Sequence, residues 1–149
     1  MSRIILLDSG PLGLITNPKA TPENRACKNW LDTLLANKCR VIIPGIIDYE
    51  IRRELIRAGK QSGLRRLDEF CRALEFLDIR QAALFKAADL WALARKQGRQ
   101  TADDHSLDAD VILCAQTLLL NDTDAVIATT NSRHLSQFAR AEIWDKIAA

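Results

Sequence analysis

Five short apolar segments alternate along this chain with longer segments in which apolar residues recur at helical spacing. The apolar segments are residues 4–7, 40–43, 74–79, 125–129 and 141–144. The longer segments predict helices over residues 22–35 (after a Thr21 cap), 46–57, 64–73, 81–96 and 108–120, with a shorter helix over 132–138. Strands that alternate with helices form a parallel sheet with helices on its faces. The chain is therefore predicted to be an α/β protein.

Length and composition indicate one ordinary globular domain. The chain has 149 residues, of which 48% are hydrophobic and 27% charged, and we expect a single domain over residues 1–149. The net charge of +2 does not by itself indicate a nucleic-acid-binding protein, although a binding face is a local feature. The four cysteines have no zinc-ligand spacing and are expected to be small buried groups. No signal peptide or membrane-length apolar run is visible, so we expect a cytoplasmic protein.

Acidic and polar residues occur where the predicted strands end. Asp8 follows the first strand, Glu50 lies beyond the second, Asp110 begins the most apolar helix, and Asn131 follows the fourth strand. Each has an ordinary explanation when taken alone: a cap, a paired surface charge, a first-turn acid and a turn residue. Because sites in open parallel sheets form beyond the carboxyl ends of the strands, we expect all four at one edge. Clustered carboxylates repel one another unless a cation lies among them, and Mg²⁺ or Mn²⁺ prefers oxygen ligands.

Two sequence patterns surround the first two acidic positions. I-I-L-L-D-S-G-P-L-G is an apolar strand that ends in Asp8 and continues with the small hydroxyl residue Ser9. I-P-G-I-I-D-Y-E-I-R-R-E-L carries two acids one helical turn apart, Glu50 and Glu54.

Two further patterns follow in the second half of the chain. D-V-I-L-C-A-Q-T begins at Asp110, and Asp108 is the alternative acid two residues earlier. A-T-T-N-S-R-H-L ends a strand with Thr129 and Asn131 in register. In this order, and over essentially the whole length, the four patterns resemble the motifs of the PIN-domain family, in particular the VapC-like toxin ribonucleases of bacterial toxin–antitoxin systems. The resemblance favours Glu50 over Glu54 and Asp110 over Asp108, and Asn131 stands where the family often has Asp.

The resemblance implies a PIN-like three-layer α/β/α fold with a central parallel sheet of four to five strands. It also implies a Mg²⁺- or Mn²⁺-dependent endoribonuclease that leaves 5′-phosphate and 3′-hydroxyl ends. Its metal ligands would be Asp8, Glu50 and Asp110, with Asn131 as a fourth catalytic residue. The auxiliary residues would be Ser9, Asp108, Thr129 and Thr130. The implied partners are an RNA substrate, an antitoxin protein and a second copy of the chain in a homodimer, with no membrane.

The densest basic stretch of the chain follows Glu50 directly. It begins with Arg52, Arg53 and Arg57 and continues through Lys60, Arg65 and Arg66. Two interpretations are open: a solvated helix face, or a rim that binds RNA phosphates. A metal-activated water needs no histidine as its base. We therefore expect His134 to be a turn or packing residue and His105 to be structural or exposed.

Three other functions compete with a nuclease. A PIN-like module that binds RNA or protein without cutting is favoured by Asn131 in place of Asp. A haloacid-dehalogenase-type phosphatase would need a second Asp where this chain has Gly10, and we reject it. A receiver-type signalling domain would need a phosphoacceptor Asp after a middle strand and a late Lys, which the chain lacks.

The helix after Asp110 is apolar on nearly every side. This pattern predicts that Val111, Ile112, Ala115 and Leu118 are largely buried.

Overall fold

A computed structural model of the protein describes residues 3–98 and 104–149, without the side chains of residues 104–106. Five strands form one sheet in the order β3-β2-β1-β4-β5. All four neighbouring pairs are parallel. The strands are β1 (Ile4–Leu7), β2 (Arg40–Pro44), β3 (Glu75–Leu77), β4 (Val126–Thr129) and β5 (Ala141–Ile143). The predicted α/β fold with a parallel sheet is therefore confirmed, and each strand overlaps a predicted apolar segment.

Within the described residues, six α-helices connect these strands. They are α1 (Ser9–Thr16), α2 (Pro22–Ala36), α3 (Gly45–Arg57), α4 (Gln61–Ala73), α5 (Gln81–Lys96) and α6 (Asp104–Leu118). The Thr21 hydroxyl caps α2 as predicted, because it accepts the backbone N–H of Asn24 at 3.1 Å. The short helix predicted over 132–138 is a 3₁₀ turn at Leu135–Gln137.

Helix α1 was not predicted, because its sequence S-G-P-L-G-L-I-T contains two glycines and a proline. Pro11 is its third residue, where a helix has no intrahelical use for a backbone N–H, so the proline is tolerated there. Leu12 and Ile15 are almost completely buried. Tertiary packing therefore stabilises a helix that intrinsic propensity disfavours.

Helices cover both faces of the sheet. Helix α1 contacts α2, α3 and α4, whereas α5 packs along α6. Because crossovers between parallel strands are almost always right-handed, these two groups lie on opposite faces. Every residue of β1 and β4 is buried. The direction of strand order reverses between these two strands, so their carboxyl ends border the crevice where doubly wound sheets bind ligands.

The burial prediction for α6 is confirmed in part. Val111 and Ala115 are buried, Ile112 is only half-buried, and Leu118 is 37% exposed. The prediction for Leu118 is wrong, because α6 ends at this residue and the following turn is exposed at Leu119. Within the described residues, none of the helices is both long and apolar enough to cross a membrane.

Candidate active site

Asp8 lies at the carboxyl end of β1, where its backbone N–H donates to the carbonyl of Ala128 on β4 at 2.9 Å. Its two carboxylate oxygens have different donors. Oδ1 accepts the backbone N–H of Ser9 at 2.8 Å, and Oδ2 accepts the hydroxyl of Thr129 at 2.7 Å. Burial raises the pKa of Asp8, while the hydrogen bonds from Thr129 and Ser9 oppose that rise without cancelling it. Asp8 is therefore both the N-cap of α1 and a half-buried carboxylate at the switch point of the sheet.

Glu50 and Asp110 approach the same place from two helices. Burial raises the pKa of Glu50, the negative charge of Asp8 raises it further, and the guanidinium of Arg53 lowers it. Burial also raises the pKa of Asp110, and the charges of Asp8 and Glu50 take it to about 7. The charge of Asp8 therefore acts on both other carboxylates, and the charge of Glu50 acts on Asp110.

The register of α6 removes a simpler explanation for Asp110. The sequence places this residue at the start of a helix, where an acid stabilises the helix dipole. The helix instead begins at Asp104, so Asp110 lies in the second turn. The dipole effect falls off within the first turn. The desolvation of this partly buried acid is thus not offset by the helix dipole.

The donor set suits a hard divalent cation in its chemistry, because it consists of carboxylate oxygens whose mutual repulsion a cation would relieve. Their spacing is looser than that of a formed site. Among the side chains of residues 3–98 and 107–149, no three from His, Cys, Asp or Glu lie close enough to hold one metal ion. Binding through Asp8, Glu50 and Asp110 together therefore requires these side chains to move closer.

The remaining polar residues near Asp8 form its surroundings. Ser9 contributes its backbone N–H. The exposed Thr130 lies against Gly10, where an added Cβ would be 2.5 Å from Thr130 Cγ2, so a side chain at position 10 would force Thr130 to shift. Asn131 is exposed and starts a turn, because its Oδ1 accepts the backbone N–H of Arg133 at 3.1 Å. Its own N–H donates to the Thr129 hydroxyl at 3.2 Å, so Asn131 is connected to Asp8 through Thr129.

Asp108 lies on a different side of α6 from Asp110. It is exposed, and it lines a groove of about 470 Å³ between α5 and α6 together with Leu84, Trp91 and Ile112. The structure therefore does not bring Asp108 to the three carboxylates.

The three arginines after Glu50 have separate environments. Arg52 chelates the buried Asp48 with two 3.1 Å contacts and reaches Asp68 on α4 at 2.8 Å. Arg57 pairs with Glu54 at 2.8 Å on the exposed surface. Arg53 lies over the ring of Tyr49, with its Cζ 5.1 Å from the ring centroid.

The contact between Asp48, Arg52, Asp68 and Cys71 was not predicted. The Cys71 thiol donates to Asp48 Oδ1 at 3.2 Å, which completes a polar connection between α3 and α4. The i,i+4 spacing of Asp48 and Arg52 was the available signal. His134 is half-buried and precedes the 3₁₀ turn, which agrees with a packing role. The side chain of His105 lies outside the described residues.

Three solved structures show where this architecture occurs among known proteins. A chain of VapBC2 from Rickettsia felis, bound to a DNA fragment from its promoter, matches with a TM-score of 0.75 and 21% identity over 95% of this chain and 99% of that chain. A chain of VapBC-1 from nontypeable Haemophilus influenzae matches with a TM-score of 0.68 and 18% identity over 96% of this chain and 99% of that chain. A chain of DNA-bound VapBC from Salmonella typhimurium matches with a TM-score of 0.63 and 21% identity over 97% of this chain and 99% of that chain. The chain has a PIN-like fold.

The evidence for the PIN-like fold comes from structure. No protein-family model matches the chain, and no curated protein matches its sequence. The predicted resemblance to VapC-like proteins is therefore confirmed at the level of the fold, over nearly the whole length of both chains.

Proposed function

We propose that the protein is a divalent-metal-dependent endoribonuclease, the toxin of a toxin–antitoxin pair, acting in the cytoplasm. The observation that supports this most is electrostatic: at the switch point of a PIN-like sheet, the charge of Asp8 raises the pKa values of Glu50 and Asp110, and the charge of Glu50 raises that of Asp110 further. Carboxylates coupled in this way form a site with excess negative charge. A divalent cation would relieve that excess, and RNA phosphates would supply further oxygen ligands to it.

In this proposal Asp8, Glu50 and Asp110 hold Mg²⁺ or Mn²⁺. The ion would lower the pKa of a water and neutralise charge on the phosphodiester in the hydrolysis. Thr129 orients Asp8 by donating its hydroxyl to Oδ2. Asp110, with a pKa of about 7, carries a proton on a large fraction of molecules near neutral pH and must release it when a cation binds. Asn131 and Thr130, which neighbour Thr129, would orient a phosphate oxygen.

An antitoxin partner and a homodimer belong to the same proposal. The three solved structures compared above, which share this fold over nearly their whole chains, are VapBC assemblies. A short gene immediately upstream whose product co-purifies with this chain and suppresses its ribonuclease activity would support the pairing. The size of the isolated chain in solution tests the homodimer.

The decisive experiment is a cleavage assay on the purified protein. A mixture of structured and single-stranded RNAs is incubated with EDTA, Mg²⁺ or Mn²⁺. We expect cleavage only with a divalent ion, and fragments whose 5′-phosphates make them substrates for a 5′-phosphate-dependent exonuclease. Cleavage that persists in EDTA would contradict the proposal.

A non-catalytic PIN-like module that binds RNA or protein is the second candidate. It is favoured by Asn131, because this side chain is uncharged and its Oδ1 is occupied by the N–H of Arg133. Calorimetric titration with Mn²⁺ separates the two candidates. The nuclease requires a metal-binding isotherm that Asp8→Asn abolishes, whereas the module predicts no binding and no cleavage.

A further inference from the structure

The second and third turns of α3 present an aromatic ring, a carboxylate and a guanidinium side by side. Arg53 is four residues after Tyr49 and three after Glu50, so its side chain can reach both on the helix surface. Its Cζ lies 5.1 Å from the centre of the Tyr49 ring. Its charge also lowers the pKa of Glu50, so the guanidinium is close to that carboxylate. Arg53 therefore connects the exposed ring to the edge of the candidate active site.

Arg53 differs from Arg52 and Arg57 in that it forms no ion pair with a carboxylate of the described residues. Arg52 is held by Asp48 and Asp68, and Arg57 by Glu54. In the part of the chain that the structure describes, Arg53 has no carboxylate within 4.0 Å. Of the three arginines that follow Glu50 most closely, Arg53 is thus the one whose guanidinium has no carboxylate partner among the described residues and can contact a phosphate near Glu50.

Tyr49 is 56% exposed, which is high for a residue with a large apolar ring. The guanidinium of Arg53 lies over the ring, and the residue still keeps more than half of its surface open to solvent. An exposed aromatic side chain beside an unpaired arginine is the arrangement with which proteins bind unpaired nucleotides, the ring stacking on a base and the arginine contacting a phosphate.

We propose that Tyr49 and Arg53 form a nucleotide-binding subsite, in which Tyr49 stacks on an unpaired base of single-stranded RNA and Arg53 contacts the adjoining phosphate. This inference rests on the proposed function, because it takes the strand beside Glu50 to be the substrate. Bases in an A-form duplex are stacked on each other and are not available to the ring. The subsite therefore selects single-stranded RNA or loops over duplex RNA.

The test measures binding without cleavage. A fluorescently labelled single-stranded RNA is titrated in EDTA with wild-type protein and with variants, and the Kd is read by anisotropy. We expect Tyr49→Ala to raise the Kd about tenfold, the loss of one stacked base, and Tyr49→Phe to change it little. Arg53→Ala should raise the Kd and lower the slope of log Kd against log salt by about one, the contribution of one phosphate contact.

Phe85→Ala is the matched control, because Phe85 is an aromatic residue on α5 that is 64% exposed. It should bind RNA as the wild type does. A duplex of the same sequence should bind more weakly than the single strand, and Tyr49→Ala should remove this difference. Equal Kd values for wild type and Tyr49→Ala, at any strength of binding, would overturn the inference.

Two further results separate the inference from the proposed function. If the wild type cleaves RNA and Tyr49→Ala leaves both Kd and KM unchanged, the subsite is wrong and the nuclease stands. If the wild type cleaves no RNA but binds single strands through Tyr49, the nuclease is wrong and the subsite stands. Size-exclusion chromatography is run in parallel, because a Tyr49→Ala protein that binds RNA less only by losing a second copy of the chain would also overturn the subsite.

Discussion

The hydroxyl of Thr129 donates a 2.7 Å hydrogen bond to Oδ2 of Asp8, a residue 121 positions earlier in the chain. This bond joins the ends of two neighbouring strands. These are β1 and β4, the pair between which the strand order reverses. Thr129 is 1% exposed, so water does not replace this donor. The same hydroxyl accepts the N–H of Asn131 at 3.2 Å. Thr129 therefore fixes the orientation of Asp8 and connects it to the turn at Asn131.

The first prediction concerns this hydrogen bond. Thr129→Val preserves shape but leaves a partly buried oxygen of Asp8 without its donor, which raises the pKa of Asp8 further. We expect unfolding free energy to fall by about 1–2 kcal/mol and metal-dependent cleavage at pH 7 to fall about tenfold or more. Thr129→Ser keeps the hydroxyl and should retain most activity. Equal activity of the Val and Ser proteins would show that the hydroxyl does not matter.

The second prediction concerns Asp8 itself. Asp8→Asn keeps an acceptor for the Ser9 N–H and a polar partner for Thr129, but it removes the charge that would hold the metal. We expect Mg²⁺-dependent RNA cleavage to fall by orders of magnitude. The metal-free protein should be no less stable, because repulsion with Glu50 and Asp110 is relieved.

Thermal unfolding with and without Mn²⁺ completes the Asp8 experiment. The wild type should be stabilised by the ion and Asp8→Asn should not. Asp32→Asn is the control, because its exposed carboxylate lies on α2. Retention of full activity by Asp8→Asn would mean that this residue is only the cap of α1.

The third prediction concerns pH. The pKa of Asp110 is about 7 in the folded metal-free protein, against the ordinary value of 3.8 that applies when the chain is unfolded. Between these values the folded chain holds a proton that the unfolded chain has released, so stability falls as pH rises from about 4 to about 7. Asp8 and Glu50 shift in the same direction. Since Asp110 is only partly buried, we expect a loss on the order of 2 kcal/mol from this residue.

Denaturant unfolding in EDTA at several pH values measures this effect. Asp110→Asn should be more stable than the wild type at pH 7.5, and the difference should shrink toward pH 4.5. Saturating Mg²⁺ should reduce the pH dependence of the wild type. Parallel pH profiles of the two proteins would contradict the coupling of the three carboxylates.

The fourth prediction concerns the arginines of α3. Arg52→Met removes the partner of Asp48, a residue only 8% exposed, and leaves its charge uncompensated. We expect a loss of about 3 kcal/mol in unfolding free energy. Arg57→Met removes only an exposed pair and should change stability by less than about 0.5 kcal/mol. Similar losses of unfolding free energy for the two substitutions would show that the polar connection between α3 and α4 adds little to stability.

Much of the fold was readable from the sequence because parallel strands covered on both faces are continuously apolar. The predicted segment 4–7 coincides with β1, and the other four strands lie within their predicted segments or extend past them by one residue. Helix α1 and the early start of α6 were missed. In α1 glycine and proline conceal the helix, and in α6 the polar sequence around Asp108 conceals the first turns, so only tertiary packing determines both.

The sequence by itself determined the order of the elements, the placement of Asp8 and Thr129 at strand ends, and the presence of acids on α3 and α6. Only the tertiary structure decided which acids influence each other's ionisation: Asp8 and Glu50 act on Asp110, while Asp108 lines a separate groove. It also decided that Arg52 pairs with Asp48 and Asp68, whereas Arg53 lies over the ring of Tyr49. The physical reason is that strand patterns are local, whereas the pairing of charges depends on the rotation of each helix as it packs against the sheet and its neighbours.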